Sequence, residues 1–164
     1  MFKPRVSKAA MLYKIDAVMV AGTAVRQRAA DGFLEVAPNG TGAIGFLAAS
    51  VRDWTTRTEK EILFPQLFFG QLLSPEWINQ PHVTSPLQIG VRIGAGYEYE
   101  VQINDALVPG DKLIADAAGQ LMKQPVGNVD PVLAIVKDKG LAVGLPLDYA
   151  MDPAQRVYMI RTLI

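Results

Sequence analysis

Apolar and polar residues alternate along Tyr97-Glu98-Tyr99-Glu100-Val101-Gln102-Ile103 without a break. A strand turns successive side chains to opposite faces, so Tyr97, Tyr99, Val101 and Ile103 share one face and Glu98, Glu100 and Gln102 the other. The pattern predicts a half-buried antiparallel strand with its carboxylates on the wet side. Leu87 to Ile93, Lys112 to Ala115, Val132 to Val136, Leu141 to Leu145 and Arg156 to Leu163 read as further strands. Fourteen glycines and eleven prolines separate them, and Pro109-Gly110 suits the centre of a type II turn. The middle breaks this rhythm: Trp54 to Ile62 is charged and Thr-rich, Phe64 to Leu73 is apolar, and Pro75, Pro81 and Pro86 discourage both a long helix and a central strand. It reads as a long excursion, with one short helix expected around Pro65 to Leu73.

Two stretches on either side of the excursion look like copies. Ala21-Gly22-Thr23-Ala24-Val25 leads through Ala29-Ala30-Asp31-Gly32-Phe33-Leu34 to Pro38; Pro109-Gly110-Asp111-Lys112-Leu113 leads through Ala117-Ala118-Gly119-Gln120-Leu121 to Pro125. Each reads as a turn, a short strand, a Gly turn and a second strand, which is a β-hairpin used twice at a separation of about 88 residues. The expected fold is mainly β, a compact β-barrel or β-tulip-like domain with antiparallel hairpins. Its expected divisions are an extended N-terminal arm over 1–14 and one domain over 15–164. That domain has related lobes at about 15–50 and 97–164 and an insertion at about 51–86.

Composition removes several chemistries. The chain has no cysteine and a single histidine, His82, which leaves no thiolate nucleophile and no ligand set for zinc. Its sixteen basic and sixteen acidic residues cancel, unlike a protein built to coat nucleic acid. Residues 1–28 are nevertheless basic, through Lys3, Arg5, Lys8, Lys14, Arg26 and Arg28, whereas residues 98–153 carry nine carboxylates against four lysines. Residues 1–8 lack the apolar core of a signal peptide, and no run of about 18 apolar residues occurs, so a cytoplasmic site of synthesis and no membrane partner are expected.

Gly40-Thr41-Gly42-Ala43-Ile44-Gly45 satisfies the G-x-G-x-x-G pattern of dinucleotide sites. Its surroundings read as a short strand and a turn rather than β-α-β alternation, so a Gly-rich β-turn is the better reading and no cofactor is expected. His82 lies in a Pro-bounded polar stretch without a nucleophile elbow and reads as a loop residue. Glu98 and Glu100 invite a glycosidase reading, but alternating carboxylates usually mark the wet side of a sheet. Asp111, Asp130, Asp138 and Asp152 fall where turns favour Asp, without calcium-loop spacing.

Two segments are candidates for contact with partners. In the arm, Phe2, Lys3, Arg5, Lys8, Met11, Leu12 and Tyr13 mix charge with apolar bulk that a purely solvating tail would not need. In the excursion, Leu67, Phe68, Phe69 and Trp77 offer the aromatic anchors typical of subunit interfaces.

Ala106-Leu107-Val108-Pro109-Gly110-Asp111-Lys112-Leu113, the turn Ala117-Ala118-Gly119, the strand Val132 to Val136 and the closing Arg156-Val157-Tyr158-Met159-Ile160-Arg161 resemble the decoration, or cement, proteins of tailed-phage heads. The likeness covers about the last 60 residues and, more loosely, Gly22 to Ala48; residues 50–95 lie outside it. The resemblance implies a non-enzymatic virion protein on the outer capsid surface, bound to the major capsid protein as a dimer or trimer and reinforcing the lattice. It would place residues 1–14 on the capsid, with their deletion leaving the fold intact. A small-molecule or nucleotide-binding protein using Gly40 to Gly45, or another virion or tube component, is the alternative.

Overall fold

The computed structural model of the protein describes residues 2–6, 10–63, 77–80, 86–103, 105–139 and 156–164, and it is mainly β. The strands are β1 (Phe2–Val6), β2 (Met11–Ile15), β3 (Ala24–Gln27), β4 (Leu34–Val36), β5 (Gly45–Leu47), β6 (Arg52–Asp53), β7 (Trp77–Ile78), β8 (Leu87–Arg92), β9 (Glu98–Ile103), β10 (Lys112–Ala115), β11 (Leu121–Lys123), β12 (Ala134–Lys139) and β13 (Arg156–Thr162). One helical turn, α1, covers Glu59–Leu63. The helix expected around Pro65 to Leu73, the strand at Leu141 to Leu145 and His82 lie outside the described residues.

Strands β2-β4-β3-β5-β8 close a barrel, and β1-β9-β13-β12-β10-β11 form a second, curled sheet; β6 and β7 make a small parallel pair. The two large sheets share residues through strands buried on both faces. Val25 of β3 and Leu47 of β5 join Ile15, Leu34, Ile89 and Val91 inside the barrel. Their neighbours Ala24 and Phe46 turn outward and pack with Tyr99, Val101, Leu113, Leu133, Tyr158 and Ile160 of the curled sheet. That is why β5 lacks a solvent face and reads as a short apolar run rather than an alternation.

The suspected duplication extends beyond the hairpin. In the first copy Val25, Arg26 and Gln27 pair with Val36, Glu35 and Leu34; in the second Leu113, Ile114 and Ala115 pair with Lys123, Met122 and Leu121. The turn glycines match, with φ of 86° at Gly22 and 94° at Gly110, and 75° at both Gly32 and Gly119. The third strand repeats too: Ala24–Phe46 and Val25–Gly45 correspond to Lys112–Ile135 and Leu113–Ala134. So do the connecting bonds, Gly22 N to Leu47 O and Gly110 N to Val136 O, each 2.8 Å. Antiparallel β8 and β2 extend the first copy as β13 and β9 extend the second. Each unit therefore has the same strand order, β4-β3-β5-β8-β2 and β11-β10-β12-β13-β9. The copies differ at the ends, where β2 meets β4 and closes the first unit, whereas β9 takes β1 as its outer neighbour.

Several expectations change. The first lobe does not stop near residue 50, because β8 from beyond the excursion completes it. The arm boundary at residue 14 falls inside β2, whose Ile15 is buried in the barrel, and residues 2–6 form a strand on β9. Deleting residues 1–14 removes a barrel stave and cannot leave the fold intact. Glu98 keeps partial exposure, but Glu100 is only 1% exposed and not on a wet face. Its strand lies between β1 and β13, with Lys3 and Met159 at the flanking register positions.

Candidate interaction surface

The residues expected to dock on a partner, Trp77 apart, divide into three groups. Phe2, Lys3 and Arg5 lie in β1, where the backbone pairs Phe2 with Val101 and Lys3 with Glu100. Met11 and Leu12 are 57% and 68% exposed on β2, and Tyr13 is half-buried against the barrel core. Lys8, Leu67, Phe68 and Phe69 lie outside the described residues. Two of the arm-proximal cations are already engaged, Arg26 by Glu35 at 2.7 Å and Arg28 by Asp16 at 2.8 Å.

Trp77 is not a surface anchor. It is 2% exposed, with the Arg52 guanidinium 4.1 Å from its ring centroid and the Trp54 ring meeting it edge-on at 5.8 Å. Arg57 continues the stack over Trp54 at 4.3 Å. Trp77 is thus spent on packing within the excursion, against Arg52 and Trp54, because a large ring gains most by removing its whole area from water. Beside it, an open cavity of about 350 Å³ is lined by Ile15, Phe33, Trp77, Ile78, Pro86 and Leu87, with polar groups from Asp16, Asn79 and Gln80.

The Gly40 to Gly45 segment runs from a tight turn at Pro38–Gly40 directly into β5, with no helix to face a phosphate. Gly45 is packed so closely that a Cβ would stand 2.3 Å from the Arg92 carbonyl oxygen. The pattern arises from turn and packing needs.

Beyond their shared core, the two hairpin units are hydrogen-bonded to one another where tip meets base. The second hairpin's tip, Asp116 to Gln120, sits on the base of the first. Ala24 N donates to Gly119 O at 2.8 Å, Asn39 N to Asp116 O at 2.9 Å, and Gln120 Nε2 to Thr23 Oγ1 at 2.7 Å. A Cβ on Gly119 would come within 2.9 Å of Ala24 O, so glycine is needed both for space and for its φ of 75°.

The equivalent tip and base face solvent. At the first hairpin's tip Ala29, Ala30 and Asp31 are exposed. Arg28 holds Asp31 at 2.7 Å, and that bond, with a second from the Phe33 N–H, lowers the Asp31 pKa while Asp31 and Asp16 raise that of Arg28. At the second hairpin's base Val108, Lys112, Lys123 and Pro125 are exposed and Val126 and Val129 fully so. This base is ordered by its own bonds: Lys123 Nζ meets Asp111 at 2.8 Å, Asp105 accepts from Lys123 N at 2.9 Å, and Gln124 Nε2 donates to Asn128 O at 3.1 Å. Lys123, then the Val108 N–H, hold the Asp111 carboxyl below its usual range.

Sequence reasoning missed this base as a surface. The signal was present in Pro125-Val126-Gly127-Asn128-Val129, where two valines occupy a turn rich in Gly, Pro and Asn, with no strand to hide them. Among the described residues no cluster of three or more His, Asp or Glu could hold a metal, and no helix is long and apolar enough to cross a membrane. No model of a known protein family matches the chain, and neither does any curated protein.

Proposed function

We propose that the protein is a non-enzymatic structural virion component that binds the outer surface of a phage capsid as a homo-oligomer and stabilises the lattice of major capsid protein. The observation that carries the reading is the division of labour on the surface. Met11, Leu12, Val108, Val126 and Val129 stand in solvent on hydrogen-bonded β-lobes. The carboxylates of Asp31, Asp53, Glu98, Asp111 and Asp116 are used in turns and ion pairs. Such a surface suits docking, and the resemblance to head decoration proteins supplies the partner. Repetition supplies durability, since an oligomer that bridges several capsid subunits turns weak contacts into high avidity.

The test is co-sedimentation with empty shells assembled from the major capsid protein of the same phage. The expected result is saturable binding in a fixed ratio, lost in the double variant Met11→Asp, Leu12→Asp. Protein that stays in the supernatant, or binding indifferent to that variant, would overturn the reading.

The cavity beside Trp77 favours a second reading as a small-molecule binder, moved from the Gly40 to Gly45 loop to Phe33, Asn79 and Gln80. At about 350 Å³ the cavity lies at the low end of small-ligand sites, roughly 300–1,000 Å³. A thermal-shift screen checks it, because a ligand that binds the folded state raises the melting temperature. A shift that disappears in Gln80→Ala favours this reading.

A further inference from the structure

We infer that the exposed base of the second hairpin receives the first hairpin's tip from another copy of this chain, repeating between molecules the contact made once inside each. This names the interface of the homo-oligomer proposed above and rests on that part of the reading only.

The contact between the hairpins is asymmetric. Two copies related by a two-fold axis would exchange tips, each tip lying on the other's base. Here the second tip covers the first base, while the first tip and the second base remain open. The internal contact is therefore of the head-to-tail kind, which does not satisfy itself and leaves one complementary surface at each end.

The matching positions can be followed one by one through the shared register. Thr23, Ala24, Val36 and Asn39, which receive the internal tip, correspond to Asp111, Lys112, Lys123 and Val126. Asp116, Gly119 and Gln120, which form that tip, correspond to Arg28, Gly32 and Phe33. Ala24 is fully buried beneath the tip, whereas Lys112 and Val126 at the open base are exposed. In the intermolecular contact the Lys112 N–H takes the place of the Ala24 N–H and the Gly32 carbonyl that of Gly119.

The differences between the copies are those a solvent-exposed interface needs. The internal base is small and neutral where the tip lands, at Thr23 and Ala24. The open base carries Lys112 and Lys123, and the open tip has one additional residue, Asp31. In the contact the exposed Lys112 of the base meets the exposed Asp31 of the tip. Val126 supplies apolar area, and the Arg28–Asp31 and Lys123–Asp111 pairs hold both surfaces in shape before they meet. Repeated head to tail, the contact generates a closed ring if its rotation closes and a filament if it does not.

Because the chain has no cysteine, the contact is testable by site-directed cross-linking without a background. Two single variants at exposed positions, Ala30→Cys and Lys112→Cys, are mixed without capsid and treated with a short bifunctional maleimide. The expected product is the mixed dimer, in clear excess over either variant joined to itself. Light scattering should give a multiple of the 17.8 kDa chain mass. Val126→Asp should reduce that mass to a monomer with an unchanged far-UV circular dichroism spectrum. A monomeric native protein, same-site dimers as abundant as mixed ones, or an oligomer indifferent to Val126→Asp would each overturn the inference. Capsid takes no part, so failure here leaves capsid binding itself standing, although a monomer removes the homo-oligomer from that reading, and failure of head binding leaves this contact standing.

Discussion

At Tyr158 a single hydroxyl joins the curled sheet to the chain that enters the second hairpin. It accepts from the buried Leu107 N–H at 3.1 Å and donates to the Asp105 carbonyl at 3.0 Å. Tyr158→Phe leaves that N–H unpaired and is expected to cost about 1–3 kcal/mol in denaturant unfolding. Two glycines separate conformational from steric cost. Gly127 has a φ of 81° with open space around it, so Gly127→Ala should cost about 1–2 kcal/mol. Gly119 has the same backbone need plus contacts to Ala24 O and Val36, so Gly119→Ala should cost more, roughly 2–5 kcal/mol, read from the same unfolding curves. The ionisable residues give a pH prediction. Asp31, Glu98 and Asp111 are held below the usual carboxylate range, by Arg28, by Lys137 and then Arg161, and by Lys123 respectively. A carboxyl with a lowered folded pKa stabilises fully above its unfolded value, near 4, and loses that contribution as pH falls through the folded value. Melting temperature should therefore be insensitive to these groups near neutrality and fall below about pH 4. Lys123→Met should raise the Asp111 midpoint in a carboxyl NMR titration.

At the scale of elements, β1 and β2 are adjacent in sequence and belong to different sheets. The consequence is a sharp difference between two truncations. Removal of residues 1–6 takes an edge strand from β9 and should lower the melting temperature while cooperative unfolding persists. Removal of residues 1–14 opens the closed barrel and exposes Leu34, Ile89 and Val91, and should abolish the cooperative transition in calorimetry. The core positions of the hairpins should respond in parallel. Val25 and Leu113 are fully buried at equivalent positions, one inside the barrel and one in the curled sheet's core. Leu113→Ala is expected to cost about 2–5 kcal/mol, and Val25→Ala less, because fewer methyl groups are lost. The alternation in β9 foretold its buried face, since period two is a local property of an extended backbone. Burial of Glu100 was not legible there, because burial depends on packing between segments remote in the chain, and β9 lies between β1 and β13.

At the scale of the whole molecule, two units of one topology are fitted together by a contact that uses a tip from one and a base from the other. Hydrogen bonds at that contact and a shared core join the two lobes. The turn glycines, the Ala-Ala pairs and the alternating strands determined from sequence alone that the fold is β-rich and internally doubled, because those signals act over a few residues. Only the tertiary structure decided that the duplication runs through five strands in each copy, that β8 returns after the excursion to complete the first, and that β2 closes it. The same holds for the candidate surface. Met11 and Leu12 were visible as apolar residues in a basic segment, but the burial of Trp77 depends on Arg52 and Trp54, which tertiary packing brings to it. Hydrophobicity states a preference for burial, and packing between distant segments decides which residues attain it.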